Sequence, residues 1–247
     1  MKIFLSLLIT SIFLNATPVN VAVAANVSYA IKTLKETFLK KHPQVQLNII
    51  LGSSGKLTAQ ITHGAPYDIL MSANMLYPNA LYKNALAITK PKVYAQGKLA
   101  LISNKRRAKL SLALLTDKSI SRVAIANPKT APYGVAAKEA LTNAKLYKKL
   151  KPKFIYGESV SQTLSYAVTA ADAGLVAASS LYSPKMKSYI EGENWILLDT
   201  KEYKPISQGI VILKHAKSST DAAAFYEFIL SKEAAAIFIA FGYNCSE

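Results

Sequence analysis

The chain has 247 residues, of which 51% are hydrophobic and 18% are charged. This composition is typical of a globular protein with a substantial core, and it excludes a disordered tail. The length suits either one large domain or two lobes of ordinary size.

The chain begins with a short basic start and an apolar run. Lys2 precedes the run, which ends at Leu14, and the small residue Ala16 stands where a cleavage site would be expected. The run is too short and wrongly flanked for a transmembrane helix, although an uncleaved membrane anchor is the alternative. No cysteine follows it, which argues against a lipoprotein. We predict that residues 1–16 form a secretory signal peptide and that the exported protein is soluble.

Cysteine usage is minimal, since Cys245 is the only cysteine in the chain. An exported protein with one cysteine has no internal disulfide, so its stability must come from packing. We expect Cys245 to lie in a frayed terminus without function. A free thiol or an intermolecular link is the alternative.

The formal net charge of +16 invites a nucleic-acid partner. The small basic clusters at 105–107 and 148–151, however, belong to no basic helix with interleaved aromatic residues, and the sequence has no zinc-ligand spacing. The signal peptide also directs the protein away from nucleic acid. We interpret the charge as a solvated basic surface that attracts anions, with no nucleic-acid partner.

Short apolar runs alternate with helical patterns along the chain. The predicted strands are 19–24, 45–51, 67–72, 123–126 and 174–178. The predicted helices are 27–41, 56–63, 134–150, 159–171 and 219–241. This alternation predicts an α/β architecture with a mainly parallel sheet.

Two extended segments, 91–102 and 203–213, are predicted to cross between two lobes. We therefore expect two α/β lobes with a ligand cleft between them. Residues 17–95 and 206–247 would form the first lobe, including the C-terminal helices, and residues 96–205 would form the second.

Four loops at strand ends or helix starts are rich in small neutral polar residues. They are 24–26, 52–55, 127–134 and 157–160. Ligands of open parallel sheets lie at the carboxyl ends of strands, and helix N-termini bind anions through free backbone N–H groups. Four converging starts would give many donors without a lysine or arginine, as a fully ionised oxyanion requires. Alternatively, Asn26 and Ser54 are ordinary N-caps.

Three motifs carry a family resemblance. They are LGSSGKLTAQI at 51–61, GAPYDILMSA at 64–73 and ANPKTAPYGVAAKEAL at 126–141. Together they resemble the signature of periplasmic molybdate-binding proteins, the ModA family. The resemblance implies a type II periplasmic binding fold and a molybdate or tungstate ligand held by neutral hydrogen bonds. It also implies a monomer that serves an ABC transporter permease with its ATPase, without a cofactor or a directly coordinated metal.

The same resemblance assigns the ligand-binding residues. It implies ligand-binding roles for Asn26, where many relatives have serine, for Ser54 with Ser53 beside it, and for the backbone N–H groups of Tyr133 and Val160. One position departs from the pattern, because some relatives have a ligand-contacting tyrosine where this chain has Ala177.

Two alternative functions stay open at this point. A sulfate or other tetrahedral oxyanion would suit the same donors, whereas phosphate calls for an acceptor such as aspartate. Ser53 and Lys56 also fit the S-x-x-K pattern of periplasmic serine acyl enzymes, but the S-D-N and K-T-G triplets are missing from the sequence. The three histidines lack metal-ligand spacing. We predict a binding protein, not an enzyme.

Overall fold

The structure is a computed structural model that describes residues 17–104 and 110–245. The predicted signal peptide, the basic cluster at 105–107 and the last two residues lie outside the described residues. Within the described part of the chain, no helix is both long enough and apolar enough to cross a membrane.

Strands and helices alternate through the described residues. The strands are β1 (Val19–Ala24), β2 (Leu47–Gly52), β3 (Ile69–Ser72), β4 (Lys92–Gly97), β5 (Leu99–Ser103), β6 (Val123–Ala126), β7 (Phe154–Gly157), β8 (Ala173–Ala177), β9 (Trp195–Leu197) and β10 (Ile206–Ile212). The helices are α1 (Ala30–Lys41), α2 (Ser54–Thr62), α3 (Leu76–Lys83), α4 (Pro132–Asn143), α5 (Tyr147–Leu150), α6 (Val160–Thr169), α7 (Ala178–Leu181), α8 (Thr220–Ile229) and α9 (Lys232–Ala240).

The strands form two five-stranded sheets. The first has the order β2-β1-β3-β10-β4 and the second the order β7-β6-β8-β5-β9. In the first, β1 is parallel to β2 and β3, and β10 is antiparallel to β3 and β4. In the second, β6 is parallel to β7 and β8, and β5 is antiparallel to β8 and β9. The parallel strands of each sheet therefore end at one common edge.

Helices cover both faces of the first sheet. Val21 of β1 belongs to a buried cluster with Leu34 and Phe38 of α1 and with α8 and α9, and the Phe38 and Phe225 rings meet edge to face at 5.1 Å. Ala22, the next residue along β1, instead packs with α2 and α3. Because successive side chains point to opposite faces, a strand buried on both faces reads as one continuous apolar run.

The second sheet is layered in the same way. Leu101 and Ile125 pack against α4, whereas Ile102 and Ala124 pack against α6 on the opposite face. The cluster on the α4 side also includes two residues of the first sheet's edge, namely Ala24, which ends β1, and Ala73, which follows β3. The two sheets are therefore joined by buried apolar contacts as well as by the chain.

Some predicted elements are wrong in extent. The helix predicted at 134–150 is two helices, because Lys145 adopts a left-handed φ of 59° between α4 and α5. The helix predicted at 219–241 is also two helices, and Ser231 caps the second by accepting the N–H of Ala234. The sequence patterns missed α3, α7, β7 and β9, which are short elements without a clear period.

Up to Cys245, the last described residue, the C-terminal segment is not frayed, which corrects the expectation for Cys245. Asn244 pairs with Gln96 of β4 through two backbone hydrogen bonds of 2.7 and 2.9 Å. Cys245 is a free thiol that is partly buried against the first core, the buried apolar cluster between the first sheet and helices α1, α8 and α9.

The crossing from β4 to β5 depends on a glycine. Gly97 ends β4, and β5 begins only two residues later in the other sheet. A Cβ at Gly97 would lie 2.0 Å from the hydroxyl oxygen of Tyr133 and 2.9 Å from Nε2 of Gln208. Both distances are shorter than side-chain contacts allow, so Tyr133 can occupy this place only because Gly97 has no side chain.

We expect Gly97→Ala to lower the free energy of unfolding by about 1–3 kcal/mol, the usual cost of overpacking. Tyr133→Phe removes the oxygen and leaves the ring carbon that bore it, Cζ, 3.0 Å from the added methyl group. The double variant should therefore regain part of the loss in denaturant unfolding. An equal cost of Gly97→Ala in both backgrounds would contradict this packing.

Candidate functional site

A small cavity lies between the two sheets, at the carboxyl ends of their parallel strands. It is lined by Ala24, Ala25, Asn26, Ser53, Ser54, Ala73, Ala131, Pro132, Tyr133 and Val160. Its empty space, with the solvent at its mouth included, is about 190 Å³. Because this figure includes open solvent, the enclosed space is smaller still and well below that of pockets for drug-sized ligands, about 300–1,000 Å³, so the cavity suits a compact ligand. All five predicted site residues meet here: Asn26, Ser53, Ser54, Tyr133 and Val160.

Three helices begin at the cavity wall, namely α2, α4 and α6. The first N–H groups of a helix have no partner within the helix and carry partial positive charge. In α4 the first residue is Pro132, which has no N–H, so Tyr133 presents the first donor. In α6 the first donor belongs to Val160, because Ser159 is the N-cap. The arrangement favours an anion without any formal countercharge.

Two adjacent serines add hydroxyl groups. The Ser54 oxygen accepts the backbone N–H of Ala73 at 2.9 Å, which leaves its own proton available for donation. The Ser53 hydroxyl is buried and has no hydrogen-bond partner among the described residues. Both hydroxyls can therefore donate into the cavity.

Asn26 is 1% exposed and follows β1 in a short 3₁₀ segment. Its amide nitrogen Nδ2 donates to Oε1 of Gln208 at 2.7 Å and to the Tyr243 hydroxyl at 2.9 Å. Its amide oxygen Oδ1 is buried and has no partner among the described residues. A buried polar atom without a partner costs about 1–3 kcal/mol and calls for an explanation.

The polar groups behind Asn26 were not predicted from the sequence. Gln208 lies on β10 and is fully buried, and its Oε1 also accepts the Tyr94 hydroxyl at 2.9 Å. Tyr243 donates to the backbone oxygen of Asn26 at 2.8 Å. These residues come from β4, β10 and the C-terminus, so only the tertiary fold brings them together, and no local spacing signals the cluster.

The missing tyrosine at Ala177 is not replaced at the cavity wall. Ala177 is buried at the end of β8 and does not line the cavity. The Tyr133 hydroxyl reaches Gly97 and Gln208, neither of which lines the cavity. Tyr133 therefore lines the cavity with its backbone, at the start of α4, and not with its hydroxyl group.

None of the described residues that line the cavity carries a charge. Lys56, in the first turn of α2, forms an ion pair of 2.7 Å with Glu158, and both side chains are more than half exposed. Its amine is thus paired with a carboxylate rather than with Ser53, so the geometry does not support the acyl-enzyme alternative. Among the described residues, no group of three or more His, Cys, Asp or Glu side chains could hold a metal ion.

Several contacts bridge the two sheets around the cavity. The Gly55 N–H donates to the Thr130 oxygen at 2.9 Å, and the Ser161 hydroxyl donates to the Ala25 oxygen at 2.7 Å. The Ser179 hydroxyl donates to the backbone oxygen of Asn26 at 2.9 Å. These bonds hold the walls together in a closed arrangement.

Comparison with known proteins identifies the family. Residues 19–244 match the family described as bacterial extracellular solute-binding protein. The chain is 33% identical to the molybdate-binding protein ModA of Rhodobacter capsulatus, over 90% of this chain and 86% of that protein. The chain belongs to the ModA family. It is also 29% identical, over 91% of this chain and 85% of that protein, to a putative ABC transporter substrate-binding lipoprotein, YvgL, of Bacillus subtilis.

A solved structure agrees with this assignment. The periplasmic molybdate-binding protein of Azotobacter vinelandii superposes with a TM-score of 0.85 at 32% identity, covering 93% of this chain and all of that one. The predicted α/β class and the two-lobe type II periplasmic binding fold are confirmed. As a ModA-family member, the chain is a solute-binding protein and not an enzyme.

The buried hydroxyls behind the cavity give a pH prediction. Burial raises the pKa of Tyr94 and Tyr133 well above the usual value, and it raises the pKa of Tyr243 to about 12. The native state therefore keeps protons that the unfolded chain loses above about pH 10. The stability from these tyrosines is complete below about pH 10 and declines as the pH rises through the folded pKa values.

We expect the melting temperature of this ModA-family protein to fall between about pH 10 and 12, and Tyr243→Phe should reduce the slope. Thermal unfolding monitored by circular dichroism would measure both. An identical slope in wild type and Tyr243→Phe would contradict the burial argument.

Proposed function

We propose that this protein captures molybdate or tungstate in the periplasm and delivers it to an ABC importer. The observation that supports this proposal most directly is the uncharged cavity, where three helix starts and two serine hydroxyls converge. Membership of the ModA family supports the same ligand class. The oxyanion is a transported solute, not a cofactor, and its metal is not coordinated by protein side chains.

The donor chemistry matches a fully ionised tetrahedral anion. Such an anion offers acceptors only, and backbone N–H groups at helix starts and hydroxyl groups supply donors. No carboxylate lines the cavity among the described residues, so a protonated anion such as hydrogen phosphate would lack a charged acceptor. We assign ligand binding to Asn26, Ser53, Ser54, and the backbone N–H groups of Tyr133 and Val160.

Transport requires the cleft to open and close. We propose that residues 17–95 with 206–247 move as one lobe and residues 96–205 as the other, with hinges in the crossing segments. The bond from Gly55 to Thr130 and the ion pair between Lys56 and Glu158 join the two proposed lobes, so they would form on closure. Hinge closure around ligand is the usual motion of periplasmic binders.

The same proposal covers partners and location. Residues 1–16 would act as the export signal, and the protein would work as a monomer that meets the membrane only through the permease and its ATPase. The basic surface would attract anions rather than nucleic acid.

We expect one molybdate or tungstate ion to bind per chain, at least about a hundredfold more tightly than sulfate or phosphate. That ratio corresponds to about 2.7 kcal/mol, which a rigid cavity fitted to the larger anions can supply. Calorimetric titration with the four anions measures it. Equal affinity for sulfate would overturn the ligand assignment.

We expect Ser54→Ala to weaken molybdate binding by about ten- to a hundredfold, because a hydrogen bond to a charged group is worth about 1.5–3 kcal/mol. Lys56→Ala is the matched control on the same helix. It should change affinity by less than about fivefold, since an exposed ion pair contributes about 0–1 kcal/mol. If Lys56→Ala lost much of its affinity for molybdate while Ser54→Ala kept the wild-type affinity, the anion would bind elsewhere.

A further inference from the structure

Three unpartnered polar atoms lie together behind the cavity. They are Oδ1 of Asn26, Nε2 of Gln208 and the hydroxyl of Tyr133, all buried and without a hydrogen-bond partner among the described residues. The three residues are neighbours. Asn26 donates to Gln208, and the Gln208 amide and the Tyr133 hydroxyl both lie beside Gly97.

The unpartnered atoms are complementary in kind. Oδ1 of Asn26 is an acceptor, Nε2 of Gln208 is a donor, and the Tyr133 hydroxyl can donate. A half-turn of a terminal amide group exchanges its oxygen and nitrogen and leaves the rest of the side chain in place. Half-turns of both amides would let Nε2 of Gln208 donate to Oδ1 of Asn26 across the same 2.7 Å contact.

The remaining contacts tolerate this exchange. The rotated Oε1 of Gln208 would occupy the present place of Nε2, on the Tyr133 side of the residue. The Tyr94 hydroxyl can accept from the rotated Nε2 of Gln208, and the Tyr243 hydroxyl shares its one proton between the backbone oxygen and Oδ1 of Asn26. One donor group is then left without a protein partner, namely Nδ2 of Asn26. That group takes the position of Oδ1, in a residue that lines the cavity.

We propose that Gln208 is a positioning residue that holds the Asn26 amide with its N–H groups toward the bound oxyanion. In this arrangement Nε2 of Gln208 holds Oδ1 of Asn26, and the anion supplies the acceptor that Nδ2 of Asn26 lacks. The inference rests on the proposed function, because it requires an anion in this cavity.

The relay has a consequence for selectivity. With its N–H groups outward, Asn26 presents donors only, so the site favours an anion whose oxygens are all acceptors. With the oxygen outward, the same residue would accept a proton from a protonated anion. Gln208 therefore influences which protonation state of an anion is selected, although its side chain does not touch the ligand.

The test uses Gln208→Met and Asn26→Ala in the full protein, titrated with molybdate by calorimetry. We expect each variant to lose about tenfold in affinity, and the double variant to lose hardly more, because Gln208 acts only through the Asn26 amide. The matched control is Tyr226→Phe, a buried tyrosine in the first core, which should stay within about twofold of wild type.

The double variant separates positioning from a merely structural role, because a structural loss of affinity from Gln208→Met would persist after Asn26→Ala. Gln208→Glu keeps the shape of the side chain and removes the donor to Oδ1, so it supplies the same comparison if Gln208→Met does not fold. Wild-type affinity in Gln208→Met, or losses that add fully in the double variant, would overturn the positioning role while leaving the proposed function intact. A wild-type protein that does not bind molybdate would instead overturn the proposed function.

Discussion

A doubly charged anion can be buried without a cation only where many hydrogen-bond donors point at one place. Desolvation of an ion is expensive, and each donor to a charged group returns about 1.5–3 kcal/mol. The cavity meets this demand with helix starts, because the first N–H groups of α2, α4 and α6 have no intrahelical partner. Every other structural feature of the site places or supports these donors.

The sheet topology explains why the donors converge. In each sheet the parallel strands end at one edge, where the following helices begin. The apolar cluster that contains Ala24, Ala73 and Tyr133 then brings the two edges face to face. Small residues are essential in this wall, since a larger side chain would fill a cavity sized for a compact ion. Gly97 lies behind this wall, and its lack of a side chain leaves room for the Tyr133 ring.

The sequence predicted the parts of this structure that depend on local pattern. Strand 123–126 was predicted with its observed limits, because a very short apolar run rich in β-branched residues favours a buried strand over a helix. Helix starts were predicted at 134 and 159, close to the observed starts at Pro132 and Val160, and the family resemblance implied the roles of the Tyr133 and Val160 N–H groups. All five predicted site residues line one cavity.

The remainder depends on contacts between distant residues. Asn26 is separated from Gln208 by 182 positions and from Tyr243 by 217, so no motif could connect them. The break at Lys145 was missed because a left-handed lysine has no sequence signature comparable to glycine. Cys245 was expected to fray because of its position, whereas the pairing of Asn244 with Gln96 holds that end of the chain.

The central claim is that uncharged donors, not the lysine-rich surface, hold the anion. Titration of the wild-type protein with molybdate at about 50 and 500 mM salt tests this most directly, because salt screens exposed charges far more than a buried site. The account predicts that affinity changes by less than about threefold across this range. A loss of about a hundredfold or more would show that surface lysines carry the binding energy and would contradict it.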